Sequence, residues 1–103
     1  ARSNAVNEHD PPRMVIGVAW YLAKDWDDMR DLCSDRDEMH GSFEAWQRSA
    51  KQTERTLTAE GHTIVRVIID PAEFAGWCAV RGRSMNGEAR AEFVTEKARQ
   101  AQE

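Results

Sequence analysis

The sequence predicts a small α/β domain with the element order β-α-α-β-α-α and two parallel strands packed by helices. Two short segments rich in β-branched residues, 15–21 and 62–69, are the candidate strands. About 40 residues with helical spacing of apolar side chains separate them, and a connection of that length favours a parallel pair. Two further helical patterns follow the second strand.

The length and composition indicate one domain. With 103 residues, two separate cores would each fall below the size that folds easily alone. Apolar residues make up 41% and charged residues 31%, which is typical of a globular chain. Residues 1–13, "ARSNAVNEHDPPR", have no apolar period, so we expect a flexible N-terminal arm followed by a single α/β domain over residues 14–103.

The first strand, "VIGVAWY", is apolar at every position, which predicts that both of its faces are buried. Asp25 is a candidate cap for the helix that follows, and residues 34–41 are expected to form a polar loop. The predicted apolar face of this helix consists of Leu22, Trp26, Met29 and Cys33, with Leu32 beside it.

Ser42 is the candidate cap of a second helix, which Gly61 ends in a left-handed conformation. The narrow apolar stripe of this helix consists of Phe43, Trp46, Ala50 and Leu57. In the second strand Arg66 is the only charged residue, which predicts one partly exposed or edge position. Asp70 opens the third helix and Gly82 ends it, while Asn86 caps a fourth helix over about residues 87–100.

A sheet of only two strands predicts association. Such a sheet is marginally stable and leaves both outer edges open, so we expect helices to cover the edges or two chains to share a core. We favour a homodimer. The four tryptophans lie on apolar stripes or in a strand and are expected in the core, with one or two left to line a groove or an oligomer interface.

The charge balance limits the partners. A net charge of −4 argues against nucleic-acid binding, and only Arg81, Arg83 and Arg90 could form a local basic patch. The acidic residues of segment 25–38 either form a solvated helix face or dock a basic protein partner. The longest uncharged apolar run has ten residues, too short for a bilayer, and there is no secretory cleavage pattern, so we expect a cytoplasmic protein without membrane contact.

Asp70, Trp77 and Cys78 are the candidate ligand-binding residues. Asp70 ends the second strand, where ligands gather in open α/β sheets, and the other two lie on the following helix. The alternative is that Asp70 only caps the helix, with Pro and Glu73 completing the capping pattern. Phe74 and Trp77 predict apolar surroundings for Cys78, which would raise its pKa and make it unreactive. No catalytic residue is assigned.

Neither a metal nor another cofactor is predicted. Asp35 and Asp37 resemble the first two ligands of an EF-hand loop, but Met39 takes the next ligand place and His40 stands where glycine is needed. Zinc-ligand spacing and a glycine-rich phosphate loop are also absent from the sequence.

The segments "FEAWQRSAKQTERTLTAEGHTIVRVIIDPAEFAGWCAVRG" and "NGEARAEFVTEKA" resemble a group of small uncharacterised bacterial proteins. In that group a Trp-bearing helix leads to a strand, an Asp-Pro-x-x-Phe-x-x-Trp-Cys helix and an Ala/Arg-rich C-terminal helix. The motif residues here are Asp70, Pro71, Phe74, Trp77 and Cys78. The resemblance covers about residues 15–98 and implies this order of elements and a bacterial origin, but no activity.

Two functions remain open. The first is a non-enzymatic interaction or accessory protein that acts as a homo-oligomer. The second is a small-ligand binder or enzyme with its site near Asp70. Because asparagine also caps helices, Asp70→Asn should abolish ligand binding without loss of stability under the second hypothesis, and should be silent under the first.

Overall fold

The computed structural model describes residues 13–102 and confirms the predicted fold class and element order. Within this range two strands and four helices follow one another, with short 3-10 turns at 23–25 and 36–38. The elements are β1 (Val15–Trp20), α1 (Trp26–Leu32), α2 (Phe43–Ala59), β2 (Thr63–Ile68), α3 (Pro71–Arg81) and α4 (Gly87–Gln102). The arm predicted for residues 1–13 lies outside the described residues, apart from Arg13.

The two strands form a parallel sheet, as predicted. The register runs from Val15 opposite Thr63 to Trp20 opposite Ile68, and α1 and α2 form the connection between the strands. Because the strands are parallel, their carboxyl ends lie at the same end of the sheet.

Helices pack on both faces of this sheet. On the face of α4, a Cβ atom added to Gly17 would lie 2.8 Å from the Cβ of Ala98, so glycine allows the helix to approach closely. Side chains alternate along a strand, so Trp20 and Arg66 lie on the opposite face. There the Arg66 guanidinium lies 3.8 Å from the centroid of the Trp20 ring and pairs with Glu54 of α2 at 2.8 Å.

Most of the predicted helix ends are confirmed. The Ser42 hydroxyl and the Asn86 side-chain carbonyl each accept the backbone N–H of the residue three positions along, at 3.1 and 2.9 Å. Gly61 and Gly82 adopt φ angles of 96° and 62°, the left-handed region that glycine enters without strain. These local signals therefore set both ends of α2, the end of α3 and the start of α4.

Three local predictions were wrong. Asp25 stands at the N-cap of α1, but its side chain caps nothing in the described chain, because Asp25 is itself the last residue of a 3-10 turn and its ψ of −7° is helical. β1 is not buried on both faces: among its residues only Trp20 is buried, since a two-stranded sheet is too narrow to be enclosed. Leu32, expected beside the apolar face of α1, is 43% exposed.

Aromatic side chains form much of the core. One cluster consists of Trp20, Tyr21, Trp26, Phe43 and Trp46, and a second consists of Phe74, Trp77 and Phe93. Trp20, Trp26 and Trp46 are buried, which confirms the expected core position for three of the tryptophans, whereas Trp77 is half-buried. The first cluster lies at the carboxyl end of β1.

Candidate functional site

Asp70 directly follows β2 and caps α3. Its Oδ2 atom accepts the backbone N–H of Glu73 at 2.9 Å, and Pro71 stands in the first turn of the helix. This confirms the predicted cap. The side chain is exposed, so it faces solvent while it satisfies the start of α3.

Trp77 and Cys78 lie further along α3 in a different environment. The Trp77 ring stacks on Phe74 at 6.3 Å and lies under the Arg81 guanidinium at 4.2 Å. Cys78 is 1% exposed, and burial raises the pKa of its thiol. Cys78 lies eight residues from Asp70, a rise of about 12 Å along a helix. Four cavities lie among residues 13–102, and Asp70, Trp77 and Cys78 line none of these four. Ligand binding by these residues stays a prediction.

A polar cluster that the sequence did not predict lies at the carboxyl end of β1. Arg90 of α4 donates one hydrogen bond to each carboxylate oxygen of Asp35, both at 2.9 Å, and a third to the Sγ atom of Cys33 at 3.1 Å. Tyr21, the first residue after β1, is 5% exposed and lies beside the same guanidinium. Arg90 therefore ties the loop after α1 to α4.

Burial and the charge of Arg90 together determine the protonation states of Tyr21, Cys33 and Asp35. Burial raises the pKa of Tyr21 to about 12, although the charge of Arg90 opposes the shift. Burial also raises the pKa of the Cys33 thiol against the same opposition. The hydrogen bonds from Arg90 lower the pKa of Asp35. Near neutral pH the cluster thus holds a neutral phenol, a neutral thiol and one ion pair, and neither Tyr21 nor Cys33 is an activated nucleophile.

A cavity of about 200 Å³ opens beside the cluster. It is lined by Ala19, Tyr21, Trp26, Glu38, Met39, His40, Trp46 and Arg90. We call it the Trp26 cavity, because Trp26 is 3% exposed and its indole N–H has no hydrogen-bond partner in the described chain. Aromatic walls with a few polar groups at the carboxyl end of a strand are typical of small-ligand sites.

The sequence contained only weak signals for this site. The sequence marked Asp35 as a possible metal ligand and Arg90 as a possible member of a basic patch. The two residues are 55 positions apart, so no local pattern in the sequence predicts that they form an ion pair. The acidic loop and the Ala/Arg-rich helix meet only in the folded chain. A search for isolated charges near apolar stripes would have selected Arg90, but not its partner.

The outer edge of β1 has no partner strand among residues 13–102. The carbonyl groups of Met14 and Trp20 accept hydrogen bonds from backbone N–H groups at the two ends of β2. Backbone N–H and C=O groups point to alternate sides along a strand. Those of Val15, Gly17 and Ala19 therefore point away from β2. β1 contains no charged residue or proline. It therefore lacks the features with which sheet edges commonly prevent pairing.

An apolar groove of about 400 Å³ runs beside this edge. Its lining consists of Met14, Val15, Ile16, Gly17, Thr95, Ala98 and Arg99. Met14 and Val15 are 55% and 49% exposed. β2 differs, because it carries the exposed Arg66, and a charge of this kind protects an edge strand. We call the outer side of β1 together with this groove the β1 edge.

The three candidate arginines of a basic patch are all neutralised. Arg81, Arg83 and Arg90 each pair with a carboxylate at N–O distances between 2.9 and 3.5 Å.

Across the part of the chain that the structure covers, no group of three or more His, Cys, Asp or Glu residues is placed to hold a metal ion. In the same range, every helix is too short or too polar to cross a membrane.

Comparison of the chain with protein-family models, curated proteins and solved structures finds no significant match. The resemblance to small bacterial proteins therefore stays a prediction.

Proposed function

We propose that this protein is a non-enzymatic interaction or accessory protein that works as a homodimer, with the β1 edge as the interface between its two copies. The observation that carries the proposal is an uncharged strand edge beside an apolar groove, with no partner strand among residues 13–102. Pairing of two β1 strands would convert two marginal sheets into one sheet of four strands.

A second copy is the partner that suits this edge best. A two-fold interface places the same surface on both sides, so each outward N–H or C=O group must meet its complement on an identical strand. An antiparallel pair of β1 strands meets this condition. Because β1 has no charges, self-pairing would place no like charges opposite each other. The half-exposed side chains of Met14 and Val15 would lose contact with water.

The compartment is also a proposal. Cys33 and Cys78 are both buried and unpaired, which is typical of proteins in a reducing compartment such as the cytoplasm. The resemblance of the Asp70 motif implies a bacterial origin.

A charge on the β1 edge tests the interface. Val15→Lys places a charged side chain of each copy in the proposed interface, where the charge must be desolvated on a strand that offers no opposite charge. Val80→Lys is the matched control, because Val80 is an apolar residue on α3 that is 84% exposed. We expect light scattering coupled to size-exclusion chromatography to give a dimer mass for the wild type and for Val80→Lys, and a monomer mass for Val15→Lys.

Two results would contradict the proposal. One is a wild-type monomer at high concentration, about 100 μM, well above the dissociation constant of a specific interface. The other is a Val15→Lys protein that remains dimeric. Ile68→Lys, on the last residue of β2 and 54% exposed, adds a further test. If only this variant dissociates, the interface lies at β2 and the assignment to β1 is wrong.

A further inference from the structure

We propose that the outer edge of β2 binds an extended acidic segment of another protein as an added strand, and that the groove between β2 and α2 receives its acidic side chains. We call this edge and groove the β2 groove. The groove is lined by Glu54, Arg55, Thr58, Ala59, His62, Thr63 and Ile64. The proposal is independent of the homodimer, since it depends on β2 and not on the β1 edge.

The outer edge of β2 offers backbone groups for pairing. The N–H groups of Thr63 and Ile69 donate to carbonyl groups on the β1 side at 2.9 and 3.0 Å, so both residues face β1. Because backbone groups point to alternate sides along a strand, those of Ile64, Arg66 and Ile68 point away from β1. Within the described chain no third strand pairs with this edge. An extended peptide can therefore add to the sheet through main-chain hydrogen bonds.

The β2 groove is accessible from solvent. Its volume of about 730 Å³ is larger than that of the groove beside β1 or of the Trp26 cavity. Four of its seven lining residues are exposed, namely Arg55, Thr58, Ala59 and Thr63. When a peptide adds to a strand edge, main-chain hydrogen bonds give affinity, and contacts of alternate side chains give specificity. The walls of this groove are placed to supply the second part.

The charges of the β2 groove favour an acidic segment. Both carboxylate oxygens of Glu54 accept hydrogen bonds from Arg66 at 2.8 Å. Arg55 donates to the side-chain oxygen of Gln52 at 2.8 Å, and among the described residues neither Arg55 nor Lys51 forms an ion pair. Hydrogen bonds from Arg66 lower the pKa of Glu54, and the nearby positive charges of Lys51 and Arg55 add to this shift. One carboxylate thus lies among three cations, and their excess charge is complementary to a negative strand.

A second copy of this chain suits the β2 groove less well than it suits the β1 edge. Two-fold pairing of β2 would bring the Arg66 side chains of the two copies close together, and like charges across a strand pair are destabilising. An acidic strand meets the same cations with the opposite charge. The two open edges of the sheet therefore differ in the partner that they fit.

The alternation of side chains defines the sequence pattern of the partner. In a strand added to β2, residues paired with Ile64, Arg66 and Ile68 have their side chains on the face of α2, where the cations lie. The residues between them lie on the other face, beside Val65 and Val67. A segment in which acidic and β-branched residues alternate matches both faces.

An alternating glutamate–valine peptide of about seven residues is a suitable probe, because β2 has six residues. The corresponding lysine–valine peptide has the same alternation and the opposite charge. The backbone amide resonances of a 15N-labelled protein report where each peptide binds. We expect the glutamate–valine peptide to bind with a dissociation constant on the order of 100 μM, and the lysine–valine peptide at least about tenfold more weakly.

The pattern of resonance shifts tests strand addition itself. The amides of Ile64, Arg66 and Ile68 should shift more than those of Val65 and Val67, because only the first three face the added strand. The outward amides of the β1 edge should not shift. This pattern distinguishes pairing at β2 from a general attraction of the peptide to the cations of α2.

Arg55→Glu should weaken binding of the glutamate–valine peptide by at least about fivefold, because it replaces an attractive charge with a repulsive one. Lys24→Glu is the matched control. It makes the same change of charge on an exposed side chain in the turn after β1, at the opposite end of the sheet from Thr63 and Ile64. It should leave the affinity unchanged.

Four outcomes would overturn the proposal: no shift of the three outward β2 amides up to about 2 mM glutamate–valine peptide, equal or tighter binding of the lysine–valine peptide, unchanged affinity of Arg55→Glu, or shifts confined to α2. The last would indicate charge attraction without strand pairing. Shifts at the β1 edge instead of β2 would also contradict it. None of these results alters the mass of the wild-type protein without peptide, so the homodimer is tested separately.

Discussion

Replacement of Gly17 by alanine tests the close contact between β1 and α4. The added Cβ would lie 2.8 Å from the Cβ of Ala98, 3.1 Å from Cγ1 of Val94 and 3.2 Å from the Val94 carbonyl oxygen. Neither a methyl group nor a helix carbonyl can move aside without shifting α4, and such overpacking costs about 1–3 kcal/mol. The loss of glycine entropy from the unfolded chain returns about 0.4–1 kcal/mol. We therefore expect a net destabilisation of about 1–2 kcal/mol.

Urea unfolding, followed by tryptophan fluorescence at one fixed protein concentration, measures this change. In a separate thermal unfolding experiment, the melting temperature of Gly17→Ala should lie about 5–10 °C below that of the wild type. Ala98→Gly alone should also destabilise the protein, by about 0.5–1 kcal/mol, because it places a glycine inside α4. The double variant should lose less than the sum of the two single losses, with a coupling of about 1 kcal/mol, because Ala98→Gly removes the nearest of the contacts.

Gly76→Ala is the control for this experiment. Gly76 lies inside α3, where an added Cβ would have no atom within 4 Å, so alanine should stabilise the helix by about 0.5–1 kcal/mol. The same substitution thus has opposite signs at the two positions. A Gly17→Ala protein as stable as the wild type, or a double variant with no coupling, would refute the claim that glycine is needed for the approach of α4.

Two further predictions concern stability. Asp70→Ala should lower the free energy of unfolding by about 1 kcal/mol through loss of the α3 cap, whereas Asp70→Asn should change it little; equal losses in urea unfolding would argue against the cap. The pKa of Asp35 is lower in the folded than in the unfolded protein, so its contribution is fully present at neutral pH and is lost as pH falls below about 5. In Asp35→Asn this part of the acid-induced loss should be missing, and an unchanged pH profile of unfolding would contradict the role of the Arg90 ion pair.

The sequence was sufficient for those parts of the fold that depend on neighbours along the chain. Ser42, Asp70 and Asn86 cap helices with their own side chains, and Gly61 and Gly82 end helices through their own backbone angles. Each of these effects involves residues within one turn. The two β-branched segments are separated by helices, and a connection of that kind favours parallel pairing of the strands.

Burial was harder to predict, because it depends on what covers a residue. β1 is apolar throughout, yet most of its residues remain partly exposed, since the sheet has only two strands in the part of the chain that the structure covers. Asp25 has the residue type of a cap, but it is the last residue of a 3-10 turn and has helical backbone angles, which prevents capping. In β1 the apolar residue types predicted burial, and at Asp25 the residue type predicted a cap. In both cases the neighbouring structure prevented the predicted result.

In the candidate sites, too, some features follow from the local sequence and others from tertiary packing. The sequence by itself determined the helices, the strands and the uncharged character of β1, because these follow from local chemistry and side-chain period. Only the tertiary structure decided that Arg90 meets Asp35 and Cys33 at the end of β1, and that the Trp26 indole N–H has no hydrogen-bond partner among the described residues. These contacts join segments more than fifty residues apart, and their geometry is set by how α4 packs on the sheet.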